Sequence, residues 1–318
     1  MKTSVIGFPR IGSLRELKFA SEGYFKGEKT SEELLSTGRE LRKTHWLLQK
    51  GRGIDLIPSN DFSFYDGMLD TAVMLNTIPK RYRALRLGAL DEYFAMARGY
   101  QGSNGDVKAL AMKKWFNTNY HYLVPEIEDD TAIRLARTKI FEEFAEAKNL
   151  GILTKPVVVG PFTFLKLARF AGEKKAVDFA GDTVRAYAEL VGKLAGLGAE
   201  WIQLDEPALV MDQDANDISF FKSLYAGVLK AKGNAKILLQ TYFGDIRDCY
   251  EEAAALDFDG IGLDFVEGKE SLALVRNNGF PDDKVLFAGL VNGRNVWRNN
   301  YAKTLSAIGE LKKSAKHI

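Results

Sequence analysis

Two adjacent carboxylates end an apolar run in this sequence of 318 residues and are its most pointed candidates for chemistry. In WIQLDEPALV, Asp205 and Glu206 follow the apolar stretch, and Pro207 comes directly after them. Because side chains alternate along a β-strand, at most one of the two carboxylates should point into a pocket at the strand end. That carboxylate would act as a general acid or base, or would bind a cationic group. A structural carboxylate bonded to loop N–H groups is an equally good interpretation.

A pair of cations forms a second candidate site in the opening run GFPRIGSLRELKFA. A predicted strand ends at Arg10, a glycine turn follows, and Arg15 and Lys18 lie three residues apart on the predicted next helix. That spacing places both cations on one helix face, where they could bind a ligand with several negative charges. Taken alone, the motif is better explained as a solvated basic helix face.

A third candidate site is the run KKWFNTNYHYLVPEI, in which cations, aromatic rings, amides and a histidine cluster. Lys113 and Lys114 precede the aromatic residues, and His121 follows them. Aromatic faces with amides and a lysine suit a flat heterocycle that carries an acidic tail. In isolation, a buried aromatic belt explains the same run better.

Short apolar runs alternate with stretches of helical period, which predicts the elements that must position these residues. The candidate strands are residues 3–9, 54–58, 122–127, 156–160, 201–205, 237–242, 260–265 and 285–291. The candidate helices are residues 31–50, 131–150, 176–197, 218–231, 245–256 and 301–313. The first helix has a capping-box pattern at Thr30 and Glu33 and a leucine stripe of Leu34, Leu41 and Leu48. For the second, Asp130 is the expected N-cap.

Eight strands that alternate with helices predict an α/β fold, a single (β/α)8 TIM barrel over residues 1–318, with an open doubly wound sheet as the structural alternative. Residues 79–112 are expected to form an inserted helical and loop region, with a mobile loop at residues 99–106. In such a barrel, functional residues gather at the C-terminal ends of the strands. Besides Asp205 and Glu206, the strand ends carry Arg10, Asp61, Glu126, Thr241, Asp264 and Asn292.

The overall composition limits the classes of protein and site. The 44 Lys and Arg residues nearly balance the 42 Asp and Glu residues, so a nucleic-acid partner is not expected. One Cys and three His exclude an internal disulfide and any zinc site that uses two thiolates of this chain. No apolar run is long enough to cross a membrane, and the start lacks the apolar core of a secretory signal. A cytoplasmic location is therefore expected.

Long motifs spread over the chain resemble the cobalamin-independent methionine synthase family, the 5-methyltetrahydropteroyltriglutamate–homocysteine methyltransferases. They are GFPRIG with RELK, GRELR with HW, GIDLIPSNDFSFYD, KWFNTNYHYLVPE, IQLDEPAL, QTYFG and AGLVNGRNVWR. They extend from Ile6 to about Lys313, which is nearly the whole chain. The resemblance implies two (β/α)8 barrels with an active site between them, of which this chain is similar to the N-terminal barrel only.

The resemblance also implies which ligands belong to which half of such an enzyme. Zinc, its His, Cys, Glu and Cys ligands and the homocysteine site belong to the C-terminal barrel, which we expect to be absent here, so that no metal is expected in this chain. Contacts to the folate triglutamate fall on Arg15, Glu16, Leu17, Lys18 and Lys114 of this sequence. No catalytic residue is assigned in this half.

Three functional hypotheses follow. In the first, the chain is the folate-binding half of a methyltransferase of methionine biosynthesis and is inactive alone, with the missing barrel as its partner. In the second, it is a stand-alone, non-catalytic barrel used as a binding module. In the third, Asp205, Glu206 or Asp264 binds a metal in an independent enzyme.

Overall fold

Parallel β-strands alternate with helices in the computed structural model, which describes all 318 residues. The chain forms two units. The N-terminal unit contains residues 2–158 and 168–175, and the C-terminal unit contains residues 1, 159–167 and 176–318. None of the helices combines the length and the apolar character needed to cross a membrane.

The N-terminal unit combines helices with very short strands. Its helices are α1 (Glu16–Phe25), α2 (Ser31–Gly51), α3 (Gly67–Met74), α4 (Lys80–Arg83), α5 (Ala89–Arg98) and α6 (Lys139–Asn149). Its strands are β1 (Pro58–Ser59), β2 (Tyr100–Gly102), β3 (Gly105–Val107), β4 (Met112–Lys114), β5 (His121–Leu123), β6 (Glu126–Ile127), β7 (Lys155–Val159, whose last residue belongs to the C-terminal unit) and β8 (Arg169–Phe170). Strand β1 pairs in parallel with β7, as β6 does with β8, whereas β2–β3 and β4–β5 are antiparallel hairpins.

The C-terminal unit is a regular succession of parallel strands and helices. Its helices are α7 (Pro161–Leu167), α8 (Ala180–Gly196), α9 (Ala215–Val228), α10 (Tyr250–Ala255), α11 (Ser271–Asn278) and α12 (Tyr301–Leu311). Its strands are β9 (Trp201–Asp205), β10 (Lys236–Gln240), β11 (Gly260–Asp264) and β12 (Val285–Gly289), and they are neighbours in chain order. Gln240 lies opposite Asp205, and Asp264 lies opposite Gly289, so the carboxyl ends of these strands share one edge. The predicted α/β class is therefore confirmed.

Helix α2 shows why local signals predicted its start well. Thr30 accepts a hydrogen bond from the Glu33 N–H, and the Glu33 carboxylate accepts one from the Thr30 N–H, which confirms the capping box. Leu34 is fully buried, but Leu48 is 46% exposed, so the predicted stripe is wrong at that position. A seven-residue spacing drifts by about 20° per repeat around a straight helix, and the buried face has passed to Trp46 and Gln49.

The first predicted strand, residues 3–9, is not a strand. Only Ser4 bridges to Leu56 there. Of the second predicted strand, residues 54–58, only Pro58 lies in an observed strand, β1. Phe8 donates its N–H to the Asp61 carboxylate, 2.7 Å away, instead of to a neighbouring strand, and Pro9 has no N–H to donate. The apolar run predicted hydrogen bonds to a neighbouring strand, but a side chain 53 residues away accepts the Phe8 N–H instead.

The third predicted strand, residues 122–127, divides at Pro125 into the end of the hairpin strand β5 and the separate strand β6. Because proline cannot donate to a ladder, the chain changes partner there. The remaining five predicted strands agree with β7, β9, β10, β11 and β12 to within two residues at each end.

The predicted helix over residues 131–150 is confirmed only in its second half, α6, and Asp130 is not its N-cap. The segment before α6 bonds to another part of the chain, since Arg134 and Ala136 donate their N–H groups to the carbonyls of Leu75 and Met74. Residues 99–106, expected to be an irregular loop, form most of the hairpin β2–β3, and Asn104 donates to the Leu85 carbonyl at 2.7 Å. Of the other predicted helices, residues 245–256 are helical only over α10.

Candidate functional site

The start of α1 exposes one predicted cation from a strained backbone. Arg15 is the N-cap residue and lies in the left-handed region, with φ 63° and ψ 35°, and its side chain is exposed. Since α1 begins only at Glu16, the helical spacing that was expected to put Arg15 and Lys18 on one face does not apply to Arg15. The Glu16 carboxylate accepts the Leu14 N–H at 3.0 Å and packs against Gly12, where a Cβ atom would collide with it. Glu16 therefore stabilises the turn that presents Arg15.

The next two predicted residues have opposite environments. Leu17 is 2% exposed and lies in an apolar cluster with Leu34 and Phe94, so its side chain anchors α1. Lys18 is about half exposed, and its ammonium group lies 3.8 Å from Glu22 one helical turn away. Exposed pairs of this kind contribute about 0.2–1 kcal/mol, so Lys18 can exchange this partner for a ligand at little cost.

Lys114 lies on the exposed strand of the hairpin β4–β5. It sits opposite His121, and both side chains are exposed. The Trp115 ring packs edge-on against Phe116, at 5.0 Å, and against the buried Tyr122, at 5.6 Å. The alternative of a buried aromatic belt is therefore correct for Tyr122, whereas Lys114 is presented to solvent beside the aromatic cluster.

Helix α5 connects the α1 region to the hairpin region within the N-terminal unit. Phe94 packs edge-on against Phe25 of α1 at 4.8 Å. On the same helix, the Tyr93 hydroxyl accepts the N–H groups of Tyr65 and Asp66, and the Asp66 carboxylate in turn accepts the Leu123 N–H of β5. The two cationic segments thus share one scaffold.

A largely buried charge network, to which no sequence motif points, lies beside this scaffold. The Lys139 ammonium contacts Asp70 at 3.1 Å and Glu143 at 3.2 Å, and Arg42 contacts Glu143 at 3.5 Å. Burial alone would lower the pKa of Lys139, but Glu143 and Asp70 outweigh it and raise that pKa. Burial raises the pKa of Glu143 against the opposing effect of Lys139 and Arg42. Lys139, Asp70 and Tyr93 also line a cavity of about 80 Å³.

In the C-terminal unit, Glu206 has a structural environment. Its carboxylate is fully buried and accepts the N–H groups of Phe162 and Thr163, at the start of α7, and the Tyr225 hydroxyl. Burial raises its pKa to about 7 in spite of these three donors. For Glu206, the alternative of a carboxylate bonded to backbone N–H groups is therefore correct.

Asp205 faces the other way, as strand alternation predicted. It accepts the Gln203 side-chain amide at 2.6 Å and the Tyr242 hydroxyl at 3.1 Å. At the end of β11, Asp264 accepts the N–H groups of Phe243 and of two residues in its own loop. No group of three or more His, Cys, Asp or Glu side chains in the chain is placed to hold a metal ion. The hypothesis of a carboxylate–metal site thus has no ligand cluster to support it.

The remaining strand-end residues bind neighbouring parts of the chain. Arg10 donates to the Ser63 carbonyl at 2.7 Å, and Thr241 donates to the Gly262 carbonyl at 2.8 Å. Glu126 forms a charged pair with Arg81 of α4. Asp61 accepts the Phe8 N–H, and burial raises its pKa. Asn292 accepts the Arg294 N–H within its own loop. Among the residues singled out from sequence, the exposed cations are Arg15, Lys18, Lys113 and Lys114.

Comparison with known proteins identifies the family of this chain. Residues 2–316 match the family described as the cobalamin-independent synthase, N-terminal domain. The chain is 55% identical over 311 residues to a 5-methyltetrahydropteroyltriglutamate–homocysteine methyltransferase of Streptococcus thermophilus and 57% identical over 308 residues to one of Streptococcus suis. These matches cover 98% and 97% of this chain but 41% of each relative. The chain therefore spans about two fifths of the length of these relatives.

Solved structures share its fold. A protein described as a vitamin-B12 independent methionine synthase from Listeria monocytogenes superposes with a TM-score of 0.68 at 15% identity, over 99% of this chain and 90% of the other. A B12-independent methionine synthase from a Shewanella species gives a TM-score of 0.63 at 15% identity, over 91% and 80%. The parallel strands and this likeness confirm the predicted (β/α)8 barrel fold. The chain belongs to the cobalamin-independent methionine synthase family and corresponds to its N-terminal domain.

Proposed function

We propose that this chain is the folate-binding half of a methyltransferase that moves the methyl group of 5-methyltetrahydropteroyltriglutamate to homocysteine and so makes methionine. The relatives that are 55–57% identical to this chain are methyltransferases named for these two substrates. The observation that carries the proposal is the exposure of Arg15, Lys18 and Lys114, whose charges suit a tail of several carboxylates. Glu16 and Leu17 contribute by holding the turn and α1 in place.

We assign homocysteine and the zinc ion to the part of the relatives that lies beyond the matched residues. A zinc site needs at least three protein ligands, and the side chains of this chain provide no such group. We therefore propose that zinc binds outside this chain, and we give its residues no catalytic step. The cytoplasm stays the expected location.

Replacing Lys114 or Lys18 by Ala should weaken binding of the triglutamate folate about fivefold, which corresponds to the upper range of about 1 kcal/mol for an exposed charge contact. The monoglutamate should lose much less, because it lacks the additional tail carboxylates. The loss should shrink as salt is raised, since exposed charges are screened. Titration calorimetry with both ligands at two salt concentrations measures this.

Lys43→Ala is the matched control for the Lys18 variant. Lys43 is exposed to a similar extent, 49% against 46%, and its nearest carboxylate, Glu40, is 3.9 Å away. This control should leave both affinities unchanged. Equal losses for the triglutamate and the monoglutamate in the Lys18 and Lys114 variants would show that these lysines do not bind the tail.

The chain of 318 residues should form no methionine when it is supplied with homocysteine, the methylated triglutamate folate and zinc. The reason is that the metal and homocysteine are assigned to the other part of the enzyme. Mass-spectrometric detection of methionine over several hours measures this, with an intact family member as the positive control. Turnover by the chain alone would refute the division of roles proposed here.

A further inference from the structure

The hairpin that carries Lys114 depends on its surroundings for its position. All three residues of β4 are exposed, whereas Tyr122 and Leu123 of β5 are buried. A two-stranded ribbon of this length is not stable in water by itself. Its placement must therefore come from contacts made by β5.

One such contact is made by the outer edge of β5. In an antiparallel pair, successive residues point their N–H groups alternately toward and away from the partner strand. Val124 donates to the Ala111 carbonyl on the β4 side, so the N–H of Leu123 points away from β4. It donates to Oδ2 of Asp66, at 3.1 Å.

The same Asp66 carboxylate caps helix α3. Its Oδ1 accepts the Met68 N–H at 3.0 Å, and its Oδ2 accepts the Leu69 N–H at 3.1 Å. One carboxylate therefore binds the first turn of a buried helix and the edge of the hairpin together. Bonds from N–H groups to a charged oxygen are about twice as strong as neutral ones, which makes this connection a stiff one.

Asp66 is itself held in place by a buried network. The Tyr93 hydroxyl accepts the Asp66 N–H at 3.4 Å and donates to Oδ1 of Asp70 at 2.7 Å, and Asp70 contacts Lys139. The titratable groups that face Asp66 are Asp70 on its own helix, Tyr93 on α5 and Tyr122 on β5. Burial raises the pKa of Asp66 to about 6, which agrees with an enclosed carboxylate.

We propose that Asp66 is a positioning residue for ligand binding, because its carboxylate joins α3 to β5 and thereby sets where Lys114 is presented to the anionic tail. This inference rests on the proposed function only in assigning the tail to Lys114. Asp66 does not contact the ligand itself. Its effect on affinity passes through the hairpin.

The substitution Asp66→Ser separates the two roles of the carboxylate, because Oδ2 accepts both the Leu69 and the Leu123 N–H and an Asn oxygen at that position would keep both bonds. Ser is as good an N-cap as Asp, so its hydroxyl keeps a cap on α3, while this single oxygen on a shorter side chain should not reach the Leu123 N–H. We expect hydrogen exchange of the Leu123 amide, followed by NMR, to accelerate about tenfold or more, which is the effect of losing one charged hydrogen bond. The melting curve should keep a single cooperative transition. Asp106→Ser, on the exposed hairpin β2–β3, is the control and should leave Leu123 unchanged.

Binding of the triglutamate folate completes the test. Asp66→Ser should weaken it, and the double variant with Lys114→Ala should bind no more weakly than Lys114→Ala alone, because both changes act through one contact. An unchanged Leu123 exchange rate would overturn the proposal, and so would losses that multiply in the double variant. If Lys114→Ala has no effect while Leu123 exchange accelerates, the assignment of the tail to Lys114 fails, although the connection between Asp66 and the hairpin holds.

Discussion

Lys139→Met should lower the free energy of unfolding by about 3 kcal/mol, the low end of the cost of removing one partner from a buried ion pair. Lys139, whose side chain is 32% exposed, lies between Asp70 and Glu143, whose side chains are 11% and 4% exposed. Without the ammonium group, two like charges remain close together in a poorly solvated place. Methionine conserves most of the chain length, so the loss reflects charge more than packing. Urea unfolding followed by circular dichroism measures it.

The same network predicts a partial rescue. Adding Glu143→Gln to Lys139→Met removes one of the two neighbouring negative charges and should recover part of the lost free energy, since neighbouring substitutions couple. Arg42 still contacts Glu143 when Lys139 is replaced, so the recovery should be partial. Lys43→Met in the same unit is the control and should change stability by less than about 0.5 kcal/mol, because its pair with Glu40 is exposed. A cost for Lys139→Met as small as that of the control would mean that the network contributes no stability.

Stability of the chain should fall as the pH rises from 5 to 8, because Glu206 is held in a buried site that favours its neutral form. Its pKa rises from 4.5 to about 7 on folding, mainly through desolvation. Below pH 4.5 the group is protonated in both states, and its contribution to stability is fully present. As the pH rises through about 7, the folded protein must ionise a buried carboxyl, and that contribution is lost. The total change is on the order of 3 kcal/mol.

Glu206→Gln isolates this effect, since an amide of the same shape does not titrate. The difference in unfolding free energy between the natural chain and the variant should change by about 2–3 kcal/mol between pH 5 and pH 8. Asp66, whose pKa is also raised, is present in both proteins, so its contribution cancels in the difference. A difference that stays constant with pH would show that Glu206 remains ionised in the fold, with Phe162, Thr163 and Tyr225 compensating its desolvation.

Local signals in the sequence predicted elements whose partners are near in the chain or whose burial is complete. The capping box at Thr30 needs only residues three apart, and β9 is buried along its whole length, so its apolar run is continuous. The same reasoning failed for residues 3–9, because the Phe8 N–H bonds to Asp61, a side chain 53 residues away. It also failed at residue 130, where backbone bonds to the end of α3 displace the first turns of the predicted helix.

The candidate site likewise contains residues that the sequence indicated and one residue that it did not. Arg15, Lys18 and Lys114, the cations proposed to bind the tail, could be selected from residue type and motif, because an exposed cation depends on no partner elsewhere in the chain. Asp66 was not selected, because α3, which it caps, was not among the predicted helices and its other bond goes to Leu123, 57 residues away. No local pattern predicts such a contact.

The sequence by itself determined the family and the α/β class, because these depend on residue types and short-range spacing. Only the tertiary structure decided the roles of the carboxylates. Glu206 caps α7, and Asp66 connects α3 to β5. A carboxylate that loses its water on burial needs hydrogen-bond donors, and here the fold supplies otherwise unsatisfied N–H groups. Those donors come from distant segments, so their meeting is a property of the folded chain.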